Sequence, residues 1–187
     1  GRIFFGRDRD AARFRELWDH EDRPRIVLLT GASGVGKTSF LEARAIPGLQ
    51  DTGHHVLRVR GSARPLEQLA RQVASELGGE SYRGRGLPEL LDALHDRDGR
   101  PIAVVLDQVE EVLTSQNRGA APALQAGLAA ALAGADDRVR FLLSTREDYL
   151  GAVLRALQPL PVDQLARTLP LRPLEAPDLA EALEGPG

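Results

Sequence analysis

The sequence predicts an α/β domain built on a five-stranded parallel sheet flanked by helices, and three observations predict it. Short apolar runs alternate with helix-patterned segments along the 187 residues, as expected when crossover helices join parallel strands. The run Ile102-Ala103-Val104-Val105-Leu106 is apolar without alternation, which suits a strand buried on both faces. The short run Arg25-Ile26-Val27-Leu28-Leu29-Thr30, apolar at its centre, leads directly into Gly31-Ala32-Ser33-Gly34-Val35-Gly36-Lys37-Thr38 and then into the helix-like residues 39–45. That order of strand, glycine-rich turn and helix start points free backbone N–H groups at one spot, where an anion is stabilised.

Each element follows from local pattern. Ile3-Phe4-Phe5 is a short apolar lead-in. Residues 8–20 are expected to form an amphipathic helix, since Ala11, Ala12, Phe14, Leu17 and Trp18 fall near helical spacing behind a capping Asp8, with Asp22-Arg23-Pro24 ending it. Residues 26–30 are the first strand. The helix after the glycine-rich turn is expected to stop before the breaker pair Pro47-Gly48. Residues 55–60 form a second strand through Val56, Leu57 and Val59, and Pro65 opens a helix to about Leu77. Residues 78–86 read as a surface loop, 87–95 as a helix and 98–101 as a turn. The third strand, residues 102–106, ends in Asp107, and a helix begins within residues 108–113. Residues 122–133 are Ala/Leu-rich and helical, 139–143 are the fourth strand, and 149–157 are helical. Residues 167–171 are a candidate fifth strand, which Pro170 weakens or places at an edge. A last helix over residues 177–184 precedes Gly185-Pro186-Gly187. The expected division is a core over residues 1–175 and, over 176–187, the first helix of a truncated C-terminal helical region.

Composition narrows the function classes. A net charge of −3 gives no global field toward nucleic acid or an anionic membrane. With no cysteine there is neither a disulfide framework nor a thiolate metal site, which suits a reducing interior, and the expected location is the cytoplasm. No apolar run approaches the roughly 20 residues of a membrane span, and no signal peptide is read. The lack of methionine, an initiator included, predicts a chain cut from a longer protein.

Residues 31–38 fit the P-loop pattern of Gly, four residues, Gly-Lys and Ser or Thr. Lys37 is the only lysine; every other cationic side chain of this class is arginine. A P-loop needs a compact point charge that reaches the β- and γ-phosphates, and a planar guanidinium fork does not fit the same hole. The candidate phosphate-binding groups are those of Gly31, Ser33, Gly34, Val35, Gly36, Lys37, Thr38 and Ser39.

Two further motifs share the P-loop's position at the carboxyl end of an apolar strand: Asp107-Gln108-Val109-Glu110-Glu111 and Ser144-Thr145-Arg146. Ligands of open α/β sheets bind outside those ends, so the three motifs are expected to converge. Asp107 and the Thr38 hydroxyl are candidate Mg²⁺ ligands. Glu110 or Glu111 would orient or deprotonate the attacking water. Arg146 would reach the γ-phosphate. His54 and His55 enter a strand side by side, so their side chains point to opposite faces and chelate poorly.

With these residues in hand the chain resembles the STAND class of P-loop ATPases, and more closely the bacterial novel-STAND, NLR-like nucleotide-binding domains of multidomain signalling and defence proteins. The resemblance is carried by Phe5-Gly6-Arg7-Asp8, Arg44-Ala45-Ile46-Pro47-Gly48-Leu49, Asp107-Gln108-Val109-Glu110-Glu111, Arg146-Glu147-Asp148-Tyr149 and Glu181-Ala182-Leu183-Glu184-Gly185-Pro186. Val109 stands where an aromatic is usual, and a winged-helix region would follow the last helix. The resemblance implies a P-loop NTPase sheet of the ASCE or AAA-like kind in the order 5-1-4-3-2, with Arg7 near the adenine or ribose and Pro186 near the base. It also implies a switch: ADP holds a closed monomer, while ATP permits an open homo-oligomer that activates a fused effector, with a sensor elsewhere in the parent chain. The expected function is thus an ATP/ADP-binding regulatory domain with slow Mg²⁺-dependent hydrolysis, and no direct nucleic-acid or membrane partner. The alternatives are an AAA-type motor or loader acting on DNA or protein, marked by polymer-stimulated turnover, and a non-hydrolysing ADP-bound scaffold.

Overall fold

The computed structural model describes residues 7–20, 24–114, 119–133, 138–158, 160 and 167–173. The lead-in Ile3-Phe4-Phe5, Gly6, Asp22-Arg23, the helix expected over residues 177–184 and Pro186 lie outside them. In chain order the elements are α1 (Asp8–Trp18), β1 (Ile26–Gly31), α2 (Lys37–Phe40), a π turn (Leu41–Ala45), α3 (Ile46–Asp51), β2 (His55–Arg60) and α4 (Pro65–Glu76). A 3₁₀ turn (Glu80–Tyr82), α5 (Leu87–Asp98), β3 (Ile102–Asp107), α6 (Glu110–Thr114) and α7 (Ala120–Ala133) follow. The remainder is β4 (Val139–Arg146), a 3₁₀ turn (Glu147–Tyr149), α8 (Leu150–Leu157) and β5 (Arg167–Pro170).

The five strands form one parallel sheet in the order β2-β3-β4-β1-β5, which is the expected 5-1-4-3-2 read from the other edge. Strand alternation explains why β1, β3 and β4 are buried at nearly every position. Ile26 and Leu28 of β1 face one core, with α4, α5, α7 and α8, and Val27 and Leu29 face the other, with α1 and the helix after the P-loop. Each central strand therefore serves two cores, and of their residues only Arg146 at the end of β4 is partly exposed. β5 lies at an edge, where Pro170 does not interrupt an interior ladder. Phe14 of α1 meets Phe40 edge-on, ring centroids 6.3 Å apart. The lead-in helix thereby braces the helix that carries the P-loop.

The expected end of the P-loop helix before Pro47-Gly48 is corrected: the helical path runs on to Asp51. The π turn is the reason. Ile46 N–H donates to Leu41 O, five residues back, and the widened turn admits a proline ring at the start of α3. The N–H that proline lacks belongs to the first turn of a new segment, where no partner is required. After Asp107 the helix begins at Glu110, within the expected span 108–113, because Gln108 adopts a left-handed backbone with φ 64°.

The end of β1 approaches the chain beyond β5 closely. A Cβ on Gly31 would stand 2.6 Å from Leu171 O and 2.9 Å from Val35 Cγ1. The first neighbour is backbone and cannot swing aside. Gly31→Ala is therefore expected to cost roughly 2–3 kcal/mol, a fall in melting temperature on the order of 5–10 °C, read by circular dichroism. A melting point unchanged within a degree would show that the strand ends separate freely.

Candidate functional site

The glycine-rich turn closes at Gly36, whose φ of 96° only glycine adopts readily, and α2 starts at the next residue. This turns the Lys37 side chain back over the loop, where its ammonium donates to Gly31 O at 2.8 Å and Ala32 O at 2.9 Å. Burial pushes the Lys37 amine below the usual lysine range, with Glu110 and Asp107 pulling the other way and Arg146 adding to the depression. The Thr38 hydroxyl donates to Asp107 Oδ2 at 2.9 Å, joining residues that are 69 apart in sequence.

Asp107 is 3 % exposed. Its Oδ2 also faces Arg58 Nη2 at 3.4 Å and Arg60 Nε at 3.8 Å. Its Oδ1 is buried without a hydrogen-bond partner among the described residues. A buried carboxylate with one unused oxygen, beside a threonine hydroxyl, is the all-oxygen donor pair that a hard cation such as Mg²⁺ takes. The residues present thus fit the metal.

Glu110 is 9 % exposed, and its Oε2 accepts the Arg146 backbone N–H at 3.3 Å. This bond runs from the start of α6 to the end of β4. It is supported by Val109 N–H donating to Ser144 O at 2.9 Å. Glu111 is exposed, its carboxylate turned toward Gly61. The Arg146 guanidinium forks onto Asp148, Nε to Oδ1 at 3.0 Å and Nη2 to Oδ2 at 2.6 Å, and lies 5.3 Å from the Tyr149 ring centre.

These groups line one cleft of 690 Å³ at the carboxyl ends of β1, β3 and β4. The three expected motifs do converge there. Ser33, Gly34, Gly36, Lys37, Thr38, Ser39, Asp107, Glu110, Glu111 and Arg146 all line it. Gly31 stands behind the loop, its carbonyl taken by Lys37, and Val35 turns its carbonyl to Arg7 Nη2 at 2.7 Å. Arg7 is 3 % exposed and also donates to Arg172 O at 2.6 Å and Asp10 at 2.8 Å. It ties α1, the P-loop and the chain after β5 together. Ser144 and Thr145 are buried within β4 itself, so Arg146 alone of that motif reaches the cleft.

Sequence reasoning missed Gln108, Thr114 and Tyr149, which also line the cleft. Gln108 is the one non-glycine with positive φ among the described residues, and no sequence signal marks a glutamine for that conformation. Thr114 lies one helical turn beyond Glu110, and its hydroxyl donates to Glu110 O at 3.1 Å. The spacing could have found it. His54 and His55 diverge as expected: His54 contacts Trp18 and Thr52, while His55 bonds Asp98 at 2.7 Å and Glu76 at 3.0 Å. Those two carboxylates already pair with Arg97, and Asp98 with Arg100 as well. The Arg97 guanidinium is the main cause that holds the Asp98 carboxyl well below the usual carboxylate range. The cluster reads as an ion-pair clasp at the opposite end of the sheet.

A P-loop between β1 and a helix, a buried strand-end aspartate bonded to the P-loop threonine, and the sheet order 5-1-4-3-2 together define a P-loop NTPase domain. Within that class the model of the novel STAND NTPase 1 family matches residues 1–187, and the chain belongs to this family. No curated protein sequence matches it. Among solved structures it is similar to the Walker-type ATPase PABY2304 of Pyrococcus abyssi, with TM-score 0.62 and 16 % identity over 97 % of this chain and 57 % of that one. It is also similar to a chain of the Drosophila ORC bound to DNA, with TM-score 0.51 and 13 % identity over 98 % of this chain and 46 % of that one. The chain thus spans about half the length of these structures, and at such identity they speak for the fold alone. No helix among the described residues is long and apolar enough to cross a membrane.

Proposed function

We propose that the domain binds ADP and ATP as a regulatory switch in a larger multidomain cytoplasmic protein and hydrolyses ATP slowly with Mg²⁺. In this reading it relays a sensor's signal to a fused effector and oligomerises on activation. The observation that carries the reading is the single cleft in which Lys37, the Thr38–Asp107 pair, Glu110 and Arg146 meet. Membership of the NTPase family supports it. Lys37 and the loop amides hold phosphates. Thr38 and Asp107 are the groups that would hold the cation, whose chemistry when bound is to draw charge from the phosphate oxygens. Glu110 is the better placed of the two glutamates to orient water, because its carboxylate is fixed by the Arg146 amide while Glu111 faces Gly61.

Arg146 is the element that distinguishes the two nucleotides. Its side chain is 43 % exposed and forks onto Asp148, and a terminal phosphate offers the same fork a more highly charged acceptor. ATP would draw the guanidinium away and ADP would leave it in place. Calorimetric titration tests this. Arg146→Gln is expected to weaken ATP about tenfold, the scale of one hydrogen bond to a charged group, while ADP stays within about twofold. Equal loss for both nucleotides, or no loss, removes the basis of the switch.

A further inference from the structure

We propose that Arg58 and Arg60 make the nucleotide-free site repel divalent cations, so that metal enters only in company with a nucleotide's phosphates. The inference rests on Asp107 and Thr38 being the metal-holding pair.

The two arginines are two residues apart on β2. The period of the strand sends both to one face, while Leu57 and Val59 between and before them enter the core on the other. β2 pairs with β3 in a register that sets Arg60 beside Asp107. Arg58 is also anchored from the other side, its Nη1 donating to Glu42 Oε1 in the π turn at 2.9 Å. Its Nη2 is thereby held toward Asp107 Oδ2, at 3.4 Å, with Arg60 Nε at 3.8 Å.

Those separations are longer than the 2.7–2.9 Å of a strong charge-assisted hydrogen bond. The carboxylate receives the electrostatic field of two guanidiniums without having its oxygens saturated by them, and Oδ1 has no partner among the described residues. Lys37 and Arg146 stand across the same cleft. A divalent cation arriving alone would find the buried Asp107 carboxylate with two guanidiniums within 4 Å of it and Lys37 and Arg146 across the cleft, against Glu110 and the exposed Glu111 on the cleft wall. A nucleoside diphosphate or triphosphate brings several negative charges to the loop and reverses that balance. The same field has a second use: it neutralises Asp107 while the site is empty, since a buried carboxylate with no counter-charge is costly.

The test is a manganese(II) titration of nucleotide-free protein, with free Mn²⁺ followed by its electron paramagnetic resonance signal. Three proteins are compared: wild type, Arg58→Gln with Arg60→Gln, and that pair combined with Asp107→Asn. The expected result is at least about tenfold tighter Mn²⁺ binding in the double variant than in wild type, a shift of the size that removing nearby like charges produces. The gain should vanish with Asp107→Asn. A double variant that binds no tighter than wild type overturns the proposal, as does a gain that survives Asp107→Asn. If the double variant fails to fold by circular dichroism, the exposed Arg60→Gln alone carries the test, with a smaller gain in the same direction expected and none counting against it. Calorimetry of ADP with and without Mg²⁺ keeps the underlying reading separate. If Asp107→Asn leaves the Mg²⁺ effect on ADP affinity intact, the metal-holding pair itself is wrong. If it abolishes that effect while the arginine variants gain no Mn²⁺ binding, only the repulsion falls.

Discussion

Lys37→Ala is expected to weaken ADP and ATP binding by roughly 100-fold or more, near the loss of two hydrogen bonds from a charged donor, while the fold survives. In the resting loop the ammonium rests on two neutral carbonyls, those of Gly31 and Ala32. Phosphate oxygens are stronger acceptors for a cation, so the side chain exchanges partners on binding and contributes most when nucleotide is present. Alanine removes the ammonium from two neutral carbonyls, each a modest contact, so the melting temperature should move by no more than about 2–4 °C. Lys37→Arg should not restore binding, because the guanidinium is too wide for the space under the loop. Titration calorimetry beside a thermal melt reads both effects, and nucleotide affinity within threefold of wild type would refute the site. A pH effect follows from the same group. Burial lowers the Lys37 pKa in the empty protein and phosphates would raise it, so binding takes up a proton near that value. Affinity is full below the empty-state pKa and declines as pH rises through it.

Glu110→Gln should reduce single-turnover phosphate release by about 10²–10⁴-fold, the usual contribution of a positioned acid or base. ADP affinity should stay within about threefold of wild type, the small change expected when no phosphate contact is altered. The substitution keeps shape and keeps an oxygen that can accept the Arg146 amide, now 3.3 Å from Oε2. What it removes is the negative charge that orients a water and takes its proton. Glu111→Gln is the internal comparison, with an expected change under about threefold because its side chain is exposed. A Glu110→Gln protein that turns over like wild type would show that Glu110 does not orient the attacking water.

Some of this was written in the order of residues and some was not. The P-loop is a local object: Gly36 at φ 96° and the helix start at Lys37 depend on a few adjacent torsions, which is why residues 31–38 could be read directly. The strands of the interior were legible for a similar reason. Burial on both faces leaves only apolar residues over Ile26–Leu29 and Ile102–Leu106. Asp107 stood out because it ends such a run. By contrast, the helix was expected to end at Pro47, since local rules see a proline and a glycine and cannot see the π turn that accommodates them. Nothing local distinguishes Glu110 from Glu111, which are adjacent and identical; the β4 backbone selects between them by offering one amide.

The sequence by itself determined the fold class, the family and the chemistry of the loop, because spacing over a few residues sets torsions, and an apolar period sets which side faces inward. Only the tertiary structure decided what meets what across long separations. Arg58 sits 49 residues from Asp107 yet faces its carboxylate. Arg7 sits 165 residues from Arg172 yet bonds its carbonyl. Such encounters are set by strand register and helix docking, which arise from the packing of the whole core and appear in no short stretch of the chain.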